Sequence, residues 1–263
     1  MPRFEPHPER RPALVTGASS GIGAATAQAL AAAGHPVILA ARRVDRLEEL
    51  AAKLVADGAE AVALPIDLAD PSSIDACAEA AADALGPIDV VIANAGQISS
   101  STALSSDPDE FARNVQINLL GTQRLTARLG PAMVGRGHGD LVFVTSDVVA
   151  RPRTHMAAYV AAKAGLEGLA RAMQMELEGT GVRVGMVRPG PSSTEQGTDW
   201  DEATVLHIMP SWERWGHLRH SGALLPRNVA DAIVAMVSTP KGTHLTLIEV
   251  QPEAPVLPDR SHQ

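Results

Sequence analysis

Aromatic residues are scarce in this chain. One tyrosine, three phenylalanines and three tryptophans stand in 263 residues, so aromatics make up 3% and the core must come from Ala, Val, Leu and Ile. The single cysteine, Cys77, excludes an intramolecular disulfide. It lies in the Ala-rich run Ile74-Asp-Ala-Cys-Ala-Glu-Ala, which looks helical, and reads as a packing residue and not a nucleophile. Reducing cytosol is the natural compartment, so a cytoplasmic protein is expected. Positive charge is in deficit: 22 Lys and Arg face 30 Asp and Glu, a net charge of −8. That argues against nucleic-acid or membrane-surface partners, which need a basic face. No apolar run approaches the roughly 20 residues that span a bilayer. Residues 1–12 carry no apolar signal-peptide core and are broken by prolines, which predicts a flexible arm. The histidines show no clean metal spacing. His217 and His220 form an i, i+3 pair without a third ligand, so no metal site is expected.

What is present is alternation. Hydrophobic residues make up 45% of the chain and charged residues 20%, as in a globular protein. Short apolar runs at 13–16, 36–41, 61–64, 88–93, 140–145 and 181–187 read as strands. Ala-rich segments at 21–33, 45–56, 72–85, 108–129 and 156–178 read as helices between and after them. Strands apolar on both faces, alternating with helices, predict an α/β fold: a single doubly wound Rossmann-type domain with helices on both faces of a parallel sheet. Its ligand crevice lies at the carboxyl ends of the strands. The domain is expected over 13–250, with a tail over 251–263. After Pro189 the pattern breaks, and 192–223 reads as an insertion hanging over the crevice. A helix at 226–237 and a last strand at 243–250 follow.

The first strand runs into Thr16-Gly-Ala-Ser-Ser-Gly-Ile-Gly23 and then straight into a helix. Gly17, Gly21 and Gly23 allow a tight turn, and the helix N-terminus offers free N–H groups to a pyrophosphate. A glycine triplet alone is weak; one between the first strand and first helix of this pattern is specific. The second strand ends in Arg42 and Arg43, with no carboxylate for a ribose 2′-hydroxyl at that end. A guanidinium matches a 2′-phosphate in charge and fork geometry. NADP(H) is therefore expected over NAD(H), although Asp45 stands close by and both arginines could be solvated helix-entry charges.

Tyr159 and Lys163, spaced i, i+4, share one helix face. A nearby ammonium stabilises phenolate, which predicts a tyrosine pKa lowered from roughly 10 and a group suited to proton transfer. Taken alone, the pair reads more simply as an amphipathic packing residue beside a solvated charge.

These features together resemble the short-chain dehydrogenase/reductase family, from Leu14 to about Val250. Gly17, Ser19, Ser20, Gly21, Ile22 and Gly23 lie in the stretch that looks like its Gly-rich fingerprint. Asp67-Leu68 is similar to its adenine-side acidic site, and Asn94-Ala95-Gly96 to its Asn-Ala-Gly motif. Asn118 matches its helix asparagine. Ser146, Tyr159 and Lys163 fit its catalytic spacing, and Pro189, Gly190 and Thr194 fit its Pro-Gly-x-x-x-Thr element. The resemblance implies hydride transfer between a nicotinamide and a carbonyl. Tyr159 would be general acid or base, Ser146 would hold the carbonyl oxygen, and Lys163 would bind the nicotinamide ribose and tune Tyr159. Asn118 would position a relay water. Two departures stand out: Ala93 in place of a second asparagine, and Asp147 after the catalytic-type serine. Asp147 reads most simply as a turn residue, though it could touch substrate or raise neighbouring pKa values.

All three tryptophans, Trp200, Trp212 and Trp215, fall in the insertion, and 205–212 could form an apolar helix face. This suggests a bulky or apolar carbonyl or alcohol substrate, with a packed flap or a subunit contact as the alternative. The small residues of 156–165 allow close helix packing, and the family resemblance implies a homodimer or homotetramer. Two other readings stay open. A 3-oxoacyl thioester reductase would need a basic patch for an acidic carrier protein, and none is evident. A non-enzymatic NADP(H) sensor would have a decayed catalytic set, and this one is intact.

Overall fold

The computed structural model describes residues 4–195, 200, 202–217 and 220–256. Among these residues, seven strands form one parallel sheet in the order β3-β2-β1-β4-β5-β6-β7. They are β1 (Ala13–Thr16), β2 (Val37–Ala41), β3 (Ala61–Pro65), β4 (Val90–Ala93), β5 (Gly139–Val144), β6 (Val182–Pro189) and β7 (Leu247–Val250). The chain steps outward from β1 to β3, then returns to place β4 on the other side of β1. Where the order reverses, the carboxyl ends of β1 and β4 open a crevice.

Among the described residues, eight α-helices surround the sheet: α1 (Gly21–Ala32), α2 (Val44–Ala56), α3 (Pro71–Leu85), α4 (Pro108–Val115), α5 (Gly121–Arg136), α6 (Ala157–Glu176), α7 (Glu202–Arg214) and α8 (Pro226–Ser238). Side chains of a strand alternate between faces, and β1 shows both faces buried. Leu14 joins the core that packs against α3, α5 and α6 through Ile74, Leu125 and Leu166. Ala13 and Val15 join the opposite core, with Leu30 of α1, Leu47 of α2 and Ile233 of α8. Cys77 lies on the buried face of α3, and its thiol is pushed up to about 11 by that burial, which suits a packing residue.

The single helix expected over 108–129 is broken. A π turn at Gln116–Leu120 separates α4 from α5. Asn118 Nδ2 donates to the carbonyl of Asn114, one turn earlier, at 3.0 Å and so competes with the helical ladder. Gly121 then passes so close to the Leu68 carbonyl that a Cβ would sit 2.3 Å from its oxygen. The stretch expected to be irregular after Pro189 contains α7, which includes Pro210. The last strand is shorter than the expected 243–250.

The second half of the expected flexible arm is tied down. Arg10 Nη1 donates to Leu85 O at 2.7 Å. Arg11 is 6% exposed, pairs with Asp140 and donates to Val237 O at 2.9 Å. Asp140, buried at the start of β5, also takes Arg183 Nε at 2.7 Å. A buried carboxylate needs such cations. Parts of three expected segments lie outside the described residues: 1–3 of the arm, 196–199, 201 and 218–219 of the insertion, and 257–263 of the tail. Among the described residues no helix is long and apolar enough to cross a membrane.

Candidate active site

The crevice is stitched by Thr16, the last residue of β1. Its Oγ1 accepts from Asn94 N and Ala95 N, both at 3.0 Å, and Asn94 Nδ2 donates to Thr16 O at 2.9 Å. This fixes the end of β4 against the start of the Gly-rich loop. Gly17 has φ of +70, and a Cβ on Gly23 would lie 2.3 Å from Gly17 O. Only glycine permits that turn and that approach. α1 then begins at Gly21 with no side-chain cap from Ser20 and no acidic residue in its first turn. Its first N–H groups and positive dipole end are available to an anion. Ile22 and Asn94 line the crevice.

Arg43 follows β2 and reaches the same loop. Its Nη2 donates to Ser19 Oγ at 3.1 Å and to Ser20 Oγ at 2.6 Å, and its Nε to Ser19 Oγ at 3.2 Å. Arg42 is exposed and holds no hydrogen bond or ion pair among the described residues. Arg46, which sequence reasoning passed over, stands beside Arg43. Both pair with Glu195, at 2.7 and 2.8 Å. Asp67 and Leu68 follow β3 at the same carboxyl edge, where Asp67 Oδ1 accepts from Ala69 N at 2.9 Å and Leu68 is buried.

A cavity of about 140 Å³ lies at the other end of the crevice, and Ser146, Tyr159 and Lys163 meet there. Ser146 follows β5 and opens a 3-10 turn over Asp147–Val149. Tyr159 and Lys163 lie one turn apart on the inner face of α6, 6% and 2% exposed. The Ser146 and Tyr159 side chains line the same cavity, and Ser146 Oγ accepts from Val148 N at 3.4 Å. Lys163 Nζ donates to Val144 O at 2.8 Å and lies 5.7 Å from the Tyr159 ring centroid. Asn118, fully buried, donates to Gln97 O at 2.8 Å and accepts from Gln97 N at 3.1 Å. A Cβ on Gly96 would meet Asn118 Oδ1 at 2.6 Å and Lys163 Nζ at 3.5 Å, so these three expected residues converge. Pro189 at the end of β6, and Gly190 and Thr194 in the loop after it, close the cavity. Asn114 was not singled out in the sequence. Its Nδ2 holds Gln97 O at 3.0 Å and its Oδ1 accepts from Asn118 at 2.9 Å.

The expected lowering of the Tyr159 pKa is not what this site does on its own. Burial pushes the phenol up to about 12; the neighbouring Ser146 hydroxyl opposes this, and the Asp147 carboxylate adds to it. Burial also brings Lys163 down to about 8. The lysine cannot offset the burial of the phenol, because its ammonium is itself disfavoured and is committed to Val144 O. A phenol shifted upward stays protonated at neutral pH and is a proton donor.

Asp147 begins a turn, as expected, and is also half of an ion pair. Its two oxygens accept from Arg153 Nη1 and Nη2 at 3.0 and 2.6 Å, and the carboxylate is only 3% exposed. Arg153 lies 5.9 Å from the Trp212 ring, and Trp212 Nε1 donates to Thr154 O at 2.9 Å. Trp212 packs with Tyr159, Val148 and Met156. Beyond the ion pair is an outer cavity of about 530 Å³, bordered by Arg151, Met209, His217 and His220.

A family model described as short chain dehydrogenase matches residues 11–204. The glycine betaine reductase ATRR of Emericella nidulans is 34% identical over 241 residues; the match covers 91% of this chain and 18% of that protein. This chain therefore spans under a fifth of that relative's length. An alcohol dehydrogenase from the archaeon Thermococcus sibiricus, complexed with 5-hydroxy-NADP, superposes with a TM-score of 0.81 at 30% identity. That match covers 95% of this chain and 100% of the other. A variant of actinorhodin polyketide ketoreductase with NADPH superposes with a TM-score of 0.81 at 27% identity, covering 93% and 97%.

Proposed function

The chain belongs to the short-chain dehydrogenase family, and from that premise we propose an NADP(H)-dependent oxidoreductase that interconverts a carbonyl and a secondary alcohol. One observation carries this reading: Ser146, Tyr159 and Lys163 line one cavity that continues into the glycine loop at Ile22, with Lys163 one turn from Tyr159 along α6. The uncapped start of α1 fits a pyrophosphate, and Arg43 and Arg46 fit a 2′-phosphate. When bound, the nicotinamide cofactor supplies the hydride.

The chain's own residues supply the rest. Ser146 and Tyr159 hydroxyls donate to the carbonyl oxygen as negative charge develops on it, the main route to lowering such a barrier. Tyr159, pushed up to about 12, gives its proton in reduction and takes one back in oxidation. Lys163, brought down to about 8, exchanges protons near neutral pH, and Asn118 beside it directs the path towards solvent. The outer cavity, with Met209 on one side and Trp212 behind Arg153, suits a substrate with an apolar body. Small exposed residues on α6, Ala161, Ala164 and Gly168, support a homodimer or homotetramer. Cys77 buried as a free thiol supports a cytoplasmic setting.

The test is NADPH oxidation against a panel of ketones and aldehydes, with NADH and Tyr159→Phe run beside it. Turnover is expected with NADPH, falling by about 10²- to 10⁴-fold in the variant. Full activity of Tyr159→Phe would sink the mechanism.

A further inference from the structure

Glu195 belongs to the loop after β6, yet its carboxylate spans two guanidinium groups from the other side of the crevice. Oε2 accepts from Arg43 Nη1 at 2.8 Å and Oε1 from Arg46 Nη1 at 2.7 Å, across 152 and 149 residues of sequence. The remaining donors of Arg43 are turned to Ser19 and Ser20 of the glycine loop. The group seated between the two arginines is therefore an oxyanion supplied by the protein itself. We propose that Glu195 is a specificity-determining latch: it occupies the position of the cofactor's 2′-phosphate and must yield to it when NADP(H) binds. The proposal rests on the NADP(H) reading above.

Charge decides the direction of the exchange. Two guanidinium groups and one carboxylate leave the pocket with a single net positive charge. A phosphate ester brings a charge of about −1.5 to −2 and three acceptor oxygens, so it satisfies both arginines better than a carboxylate does. The phosphate and Glu195 together would leave an excess of negative charge, so one of them must go. The latch is built to let go: Glu195, Arg43 and Arg46 are 53%, 41% and 45% exposed, and exposed pairs are individually weak. Hydrogen bonds from both arginines hold the Glu195 carboxyl down at about 2, so it stays an anion at neutral pH.

The latch also joins two ends of the site. Thr194, next to Glu195, packs on Gly21 of the glycine loop, 3.3 Å from where a Cβ would be, and lines the catalytic cavity. Release at the 2′-phosphate end frees the segment that closes the nicotinamide end. A dinucleotide without the 2′-phosphate brings no anion to that position and leaves the latch in place.

Calorimetric titration of NADPH and NADH into wild type, Glu195→Gln and Arg43→Gln tests this. Glu195→Gln is expected to bind NADPH about three- to tenfold tighter, the scale of an exposed charge pair. Its NADH affinity should stay within about twofold, which also shows that the variant is folded. The NADPH gain should shrink as salt rises, since exposed charges are screened. If Arg43→Gln weakens NADPH while Glu195→Gln leaves it unchanged or weaker, the latch is wrong and the cofactor reading survives. Loss of NADH affinity in Glu195→Gln would also overturn the latch, making Glu195 a ribose-hydroxyl acceptor. If wild type prefers NADH and Arg43→Gln changes nothing, the cofactor reading falls and the latch falls with it.

Discussion

Burial moves Tyr159 and Lys163 in opposite directions, to about 12 and about 8, and stability should follow. Lys163 has a folded pKa below its ordinary value of 10.5. Between about pH 8 and 10 the unfolded chain holds more protons at this residue, so stability rises with pH there. Tyr159 has a folded pKa above its ordinary value of 10.0. From about pH 10 to 12 the unfolded chain has released a proton that the folded one keeps, so stability falls. Urea midpoints measured across this range should rise and then fall. Lys163→Met should flatten the rise, and Tyr159→Phe the fall; a profile unchanged by both would refute the assignment. The sequence spacing correctly joined these two residues on one face of α6. It could not give the sign of the shift, which depends on how deeply the phenol sits and on the turn of Nζ towards Val144 O. The Arg46–Glu195 pair was illegible for a related reason: nothing local marks two residues 149 positions apart as partners.

At the scale of elements, strands and helices were read well where periodicity carried them and poorly where a single contact overrode it. The apolar pattern passes unbroken through 108–129, yet Asn118 draws the chain into a π turn by bonding Asn114 and Gln97. That turn brings Asn118 into line with Gly96 and Lys163. Its geometry depends on Gly121, which has no room beside the Leu68 carbonyl. Gly121→Ala is expected to destabilise the protein by about 1–3 kcal/mol through overpacking and to perturb Asn118 with it. Chemical denaturation and turnover measured together check this; a variant as stable as wild type would show that the turn can relax. α7 is the converse case. A helix face over 205–212 was read, but Pro210 and the loop-like composition around it hid the helix's full extent, Glu202–Arg214. Of its described side chains only Ile208 is buried.

The molecule as a whole is an aliphatic sheet whose far strands are joined by charge. Glu167 of α6 is 2% exposed and accepts from Arg188 of β6 at 2.9 and 2.7 Å and from Thr145 at 3.0 Å. Arg188 continues to Glu249 of β7 at 2.9 Å. Glu167 therefore ties together α6, which carries Tyr159, and the strand end next to Ser146. Glu167→Ala leaves Arg188 without its buried partner and is expected to cost about 3–5 kcal/mol; a loss of less than about 1 kcal/mol would mean that Glu249 takes over. Fold class and the crevice were legible because both faces of each inner strand are apolar; the strand order was not read from the sequence. This network was not, since a Glu in a helix and an Arg in a strand read from sequence as surface charges.

The placement of the tryptophans decides what an optical experiment can see. Trp200 and Trp212 stand with ring centroids 6.1 Å apart, Trp212 is packed beside Tyr159, and Trp215 is 61% exposed. Trp212, with Trp200 against it, flanks the catalytic cavity, and neither core of the sheet contains an indole. Intrinsic emission is therefore a local reporter of substrate entry and of movement in this flank. A thermal melt followed by emission tracks the loosening of that flank, whereas far-ultraviolet dichroism tracks the sheet and its helices. Any gap between the two midpoints measures how far the catalytic flank opens before the scaffold gives way.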